Sequence, residues 1–103
     1  MKIIVTTKDG ERTVEAAEIN IGSGNERFAA HRSVDPAIDG FAWAVTHIST
    51  GFRLAGGFCV QEAIEKARAE WAAKTPGQRA AALEHARSIR ASRQRQALAG
   101  VIS

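Results

Sequence analysis

Phe41-Ala42-Trp43-Ala44-Val45-Thr46-His47-Ile48, then Ser49-Thr50-Gly51, Phe52-Arg53-Leu54-Ala55, Gly56-Gly57-Phe58-Cys59 and Val60-Gln61-Glu62-Ala63-Ile64, is the stretch where the chain's hydrophobic period changes. As far as Ile48 the side chains alternate. Phe41, Trp43, Val45 and His47 share one face, and Ala42, Ala44, Thr46 and Ile48 share the other. Both faces are largely apolar, which predicts a strand covered on both sides at the centre of a sheet. Ser49-Thr50-Gly51 turns the chain, Phe52 to Ala55 returns it, and Gly56-Gly57 ends that strand. From about Cys59 the period is that of a helix: Val60, Ala63, Ile64, Ala67 and Trp71 form one stripe, with Glu62, Glu65, Lys66, Arg68 and Glu70 mainly elsewhere. This helix packs on the sheet, and a fully buried Trp71 contributes about 2–3 kcal/mol to that packing.

Working toward the N-terminus, Glu26 to Ser33 reads as a strand with Phe28 and Ala30 on one face and Arg27, Ala29 and His31 on the other. A loop broken by Pro36 and closed by Asp39-Gly40 separates it from the central strand. Gly22-Ser23-Gly24-Asn25 is a turn. Lys2 to Thr7 is β-branched and apolar, and Asp9-Gly10 supplies a tight turn after it. The following strand begins near Glu11, and its alternation slips between Ala16 and Ile19, which predicts a bulge or two shorter pieces.

Toward the C-terminus, Thr75-Pro76-Gly77-Gln78 starts a second helix. Thr75 suits the N-cap, Pro76 the first helical position, and Gln78 the third position of a capping box. The helix runs to roughly Leu98 and is stopped by Gly100. Ala82, Leu83, Ala86 and Ile89 share an arc with Arg79, Arg90 and Arg93. The first half therefore packs, while 90–98 has little to bury and is expected to project or to await a partner. The whole reads as α+β: an antiparallel sheet of four to five strands, one packed helix, and a second, C-terminal arginine-rich helix. Sheet and packing helix fill 1–74, and the basic helix fills 75–103 of the same single domain.

Charge divides the chain at the same place. Residues 1–74 hold nine Lys or Arg against ten Asp or Glu, whereas 75–103 hold five arginines (Arg79, Arg87, Arg90, Arg93 and Arg95) against Glu84 alone. Such asymmetry points to a polyanion, a membrane surface or an acidic partner. No apolar run approaches the roughly 20 residues of a membrane helix. The N-terminal apolar stretch, Ile3-Ile4-Val5, is too short for a signal peptide, and one cysteine excludes an internal disulfide, so a cytoplasmic location is expected.

No catalytic motif is present, and no enzymatic activity, cofactor or metal is expected. His31, His47 and Cys59 lie on separate elements without metal-site spacing, and a fourth ligand is lacking. His47 is expected beside Trp43 on a sheet face, and Cys59 is expected as a small buried apolar residue. Gly22-Ser23-Gly24 lacks the lysine and the helix of a phosphate loop. The six aromatics (Phe28, Phe41, Trp43, Phe52, Phe58 and Trp71) read as core, and exposure of Phe58 or Phe41 would mark an interaction surface.

The strand–turn–strand–Gly-Gly–helix order of 41–71 resembles small strand–strand–helix proteins encoded by phages and plasmids. The residues that carry this are Phe41-Ala42-Trp43-Ala44-Val45-Thr46-His47, Thr50-Gly51-Phe52-Arg53-Leu54, Phe58 and Glu62-Ala63-Ile64. The segment is also similar to the arm-type DNA-binding domains of tyrosine integrases and to the plant-type AP2 domain. The resemblance implies the fold and a mobile-element setting. Those families read DNA with a sheet face, but basic residues near that face reduce here to Arg32 and Arg53.

The functional expectation is thus a non-catalytic interaction protein of phage or mobile-element type. Arg79, Arg87, Arg90, Arg93 and Arg95 meet an anionic partner, nucleic acid being one form of it. Two alternatives stand beside it. One is a phage-encoded inhibitor of a host defence complex, anti-CRISPR-like, whose arginines meet acidic protein residues. The other is a self-associating structural protein, a homodimer through the C-terminal helix with Leu98, Val101 and Ile102 in its interface.

Overall fold

A computed structural model describes residues 1–7, 10–34 and 40–102, with side chains described except at position 7 and at 93–102. The turn at Lys8-Asp9, the break at Pro36, and the side chains of Arg93, Arg95, Leu98, Val101 and Ile102 lie outside the described residues.

The chain is α+β. Its order is β1 (Lys2–Thr7), β2 (Gly10–Glu15), β3 (Ala17–Ile19), β4 (Phe28–Arg32), β5 (Trp43–His47), β6 (Arg53–Gly57), α1 (Val60–Ala73) and α2 (Pro76–Ile102). β1 and β2 form an antiparallel ribbon, and β3-β4-β5-β6 form an antiparallel four-stranded sheet in that order. The slip in the sequence pattern after Ala16 is where the chain leaves the ribbon and enters the sheet. Ala16 is the hinge, its N–H donating to the Met1 carbonyl at 2.7 Å.

Three layers result. β5 is an interior strand, and its residues from Ala44 to His47 are buried on both faces, as its two apolar faces require. On one side Phe28, Ala30 and Val45 meet Ala63, Ala67 and Trp71 of α1 and Leu83 of α2. On the other, Ala29 meets Ile3 and Val5 of the ribbon, with Val14, Ala16, Val34 and Ile48 around them. An exposed bond clips β3 to the approach to β4: Arg27 Nη2 donates to Glu18 Oε1 at 2.6 Å. That hydrogen bond holds the Glu18 carboxyl below its ordinary value.

α1 crosses the sheet obliquely. Its first turn rests on Gly57 of β6, and its last turn brings Trp71 to Phe28 of β4, ring centroids 5.1 Å apart. The Gly-Gly pair forms the last two residues of β6 and ends the strand, as expected. Its role is close approach. A Cβ at Gly57 would stand 2.6 Å from the Ala63 nitrogen and 3.0 Å from the Glu62 carbonyl carbon, both backbone atoms that cannot rotate away.

Gly57→Ala is therefore expected to cost about 2 kcal/mol, because α1 must lift off the sheet. Gly77→Ala gives the contrast: its Cβ meets only Thr75 Oγ1, at 3.9 Å. That change is expected to add about 0.5 kcal/mol of helix propensity. Equilibrium urea unfolding reads both, and a common sign for the two would contradict the close packing of α1 on β6.

α2 continues through Gly100 to Ile102, so the expected stop at Gly100 is corrected. A single glycine costs a helix only about 1 kcal/mol, too little to end it alone. Among the described residues no helix is long and apolar enough to cross a membrane.

Candidate functional site

The start of α2 is built as its sequence requires. The Gln78 N–H donates to Thr75 Oγ1 at 3.2 Å, and the Thr75 N–H donates to Gln78 Oε1 at 2.9 Å, a reciprocal capping box. Leu83 and Ala86 are buried against the body. Arg79 and Arg90 fall on the same arc, because positions 79, 83, 86 and 90 follow helical spacing.

Those two arginines are bound to the body. Arg79 Nε donates to the Trp71 carbonyl at 2.9 Å, and its guanidinium stands 5.4 Å over the Trp71 ring. Arg90 Nη1 donates to the Ser49 carbonyl at 2.7 Å, and its Nε lies 3.3 Å from Glu11 Oε1. Arg79 thus fastens α2 to α1, and Arg90 fastens it to the β5–β6 turn and the ribbon. The expected projection of 90–98 is corrected at its first residue. The arginine stem covers apolar surface while the guanidinium finds carbonyl oxygens and a carboxylate at the rim.

Arg87 differs. It is exposed, and it has no hydrogen-bond or ion-pair partner among the described residues. Arg93 and Arg95 continue the same helix. Several body acids are paired within the body or with α2: Glu18 with Arg27, Glu62 with Lys66, Glu26 with His47, and Glu11 with Arg90. They are not free to neutralise the exposed side of α2.

Two buried polar networks escaped the sequence reading. His47 is 0% exposed, and its ring lies 5.1 Å from that of Phe28, not against Trp43 as expected. Its Nδ1 bonds Thr50 Oγ1 at 2.8 Å and its Nε2 bonds Glu26 Oε2 at 2.5 Å. On the opposite face of the sheet, His31 Nε2 bonds Thr46 Oγ1 and Nδ1 meets the Arg32 carbonyl, each at 2.7 Å. Cys59 is far from either network in role: it is the exposed N-cap of α1 and not a buried residue. Among the described residues no three metal-ligating side chains come together.

The hydroxyl–imidazole–carboxylate order of Thr50, His47 and Glu26 is that of a hydrolytic relay. Here Thr50 is only 1% exposed, and its Oγ1 also accepts the Phe52 N–H at 3.3 Å. The arrangement ties the β5–β6 turn to the segment entering β4.

At the other end of the sheet Phe58 is 75% exposed and so is not part of the core. Phe41 and Trp43 are half-buried, with the Arg53 guanidinium 4.7 Å over the first ring and that of Arg32 4.9 Å over the second.

The fold and its surfaces define an α+β protein with a basic helix laid across one end. No family model, curated protein or solved structure matches this chain.

Proposed function

We propose that this chain is a non-catalytic interaction protein that binds a nucleic-acid backbone through the arginines of α2. Arg87, Arg93 and Arg95 make the phosphate contacts, and Arg79 and Arg90 position the helix. The observation that carries this reading is the split among the arginines: Arg79 and Arg90 are bound to the body, whereas Arg87 is exposed without a partner among the described residues. Arginine presents several donors in a plane and stays charged, which suits phosphate. No aromatic lies in α2, so contact is to the backbone and not to stacked bases. The low exposure of the Thr50 hydroxyl supports the absence of catalysis by the His47 network.

The test is binding to random-sequence duplex DNA and RNA at several salt concentrations. Arg87→Glu combined with Arg93→Glu and Arg95→Glu is expected to weaken binding. For duplex DNA, the slope of log K against log salt should fall by about 0.9 for each phosphate that is no longer neutralised. Arg90→Gln is expected to lower stability more than it lowers the slope. Binding indifferent to the triple change overturns the reading. A monomer that binds neither nucleic acid also overturns it, and favours an inhibitor acting on an acidic protein surface. The phage or mobile-element setting rests on the resemblance of 41–71 alone.

A further inference from the structure

β6 is the last strand of its sheet, and among the described residues no strand pairs with its outer edge. An open edge presents main-chain donors and acceptors that another extended strand satisfies. Natural edges are usually blunted by charge, proline or a bulge. β6 reads Arg53-Leu54-Ala55-Gly56-Gly57, with no proline and no charge after Arg53. Its irregularity lies at the Arg53 end, between the Thr46–Arg53 and Val45–Ala55 pairs, which leaves Ala55 to Gly57 regular.

The oblique path of α1 opens a groove beside this edge. Where α1 starts it covers Gly57, and by its last turn it has moved inward to Phe28 of β4. The space left is about 390 Å³, with Leu54, Ala55 and Gly56 as its floor and Lys66, Ala69 and Glu70 as its wall.

We propose that this edge and groove form a homodimer interface, in which β6 pairs antiparallel with β6 of a second copy about a two-fold axis near Ala55. The two four-stranded sheets become one continuous sheet. Charge selects a second copy as the occupant. Lys66 and Glu70 stand one helical turn apart on the wall, and a two-fold axis sets the second α1 antiparallel to the first. Lys66 of each copy then faces Glu70 of the other. An isologous contact requires self-complementarity of this kind. Ala69, between them, has no bulk to hold the helices apart. Within one copy Lys66 lies 2.9 Å from Glu62, while Glu70 has no ion pair among the described residues. The interface is separate from the α2 surface and independent of what α2 binds.

Sedimentation velocity over a range of micromolar concentrations tests this, with circular dichroism confirming that each variant is folded. The wild type should show a concentration-dependent monomer–dimer equilibrium. Ala69→Arg, at an exposed helix position that tolerates arginine, should abolish the dimer. Lys66→Glu and Glu70→Lys should each weaken it roughly five- to tenfold, since two equivalent pairs are removed at once. The doubly swapped protein should return to within about twofold of wild type, because complementarity is restored. Amide exchange at 54–57 should slow as concentration rises. A wild type monomeric throughout overturns the proposal. So does a dimer indifferent to Ala69→Arg, or one whose charge variants are not rescued by the swap.

Discussion

Replacing Trp71 with alanine lowers the stability of this domain by about 4 kcal/mol, a fall in melting temperature of roughly 16–32 °C for a chain of this size. Trp71 is 4% exposed and is the meeting point of three elements. Its ring meets Phe28 of β4 edge-on, at 67° between planes, and shares the main core with Leu83 of α2. Its outer face carries the Arg79 guanidinium, and its carbonyl accepts both Arg79 Nε at 2.9 Å and the Lys74 N–H at 3.3 Å. Truncation removes the ring contacts and opens a cavity where the surrounding residues, two of them alanines on α1, have little length with which to fill it. The carbonyl bond to Arg79 survives, so α2 is loosened but not released. Trp71→Phe keeps an apolar ring and should cost about 1–2 kcal/mol. Urea unfolding followed by circular dichroism gives both values. A loss below about 1.5 kcal/mol for Trp71→Ala would mean that α1 is held by Ala63 and Ala67 without its anchor.

Much of this was legible in the sequence, for identifiable reasons. β5 showed itself through two apolar faces, α1 through a change of period, and α2 through Thr75 and Gln78, whose capping bonds are local and need no tertiary information. The slip at Ala16 was legible as an interruption. Its meaning, a passage from one sheet to another, depends on which strands lie adjacent, and strand order is a long-range property. Gly56 and Gly57 read as a strand end, and in sequence a glycine that ends a strand looks the same as one that also admits a helix against it. Only the position of α1 distinguishes the two, through the approach of the Ala63 nitrogen to Gly57.

The arginines were legible as a charge surplus but not as a division of labour. Arg79 and Arg90 fall on the apolar arc of α2, which looked like a defect in the helix. The carbonyls of Trp71 and Ser49 and the carboxylate of Glu11 that receive them come from three distant segments. No local pattern encodes a carbonyl acceptor, since every residue has one. The Glu26–His47 bond, across 21 positions, was illegible for the same reason.

That bond belongs to the second large effect. His47→Ala is expected to cost about 3 kcal/mol and to lower the melting temperature by roughly 12–24 °C. The imidazole is buried and bonded at both nitrogens, so truncation does two kinds of damage. It leaves a void beside Phe28, and it strips Thr50 Oγ1, 1% exposed, of its ring partner. Glu26 suffers less, because its side chain is 33% exposed and can turn to water. The His47 main chain still donates to the Phe52 carbonyl at 2.7 Å and accepts the Gly51 N–H at 2.9 Å, so the turn keeps its backbone frame. Glu26→Gln preserves an oxygen acceptor for Nε2–H and should cost about 1 kcal/mol or less. The double variant separates the ring's packing from its bond to Glu26. If that bond contributes, His47→Ala with Glu26→Gln should be no less stable than His47→Ala alone, because the interaction is already gone. Strict additivity of the two losses would assign the whole effect of His47 to the void and the Thr50 hydroxyl, and none to the carboxylate.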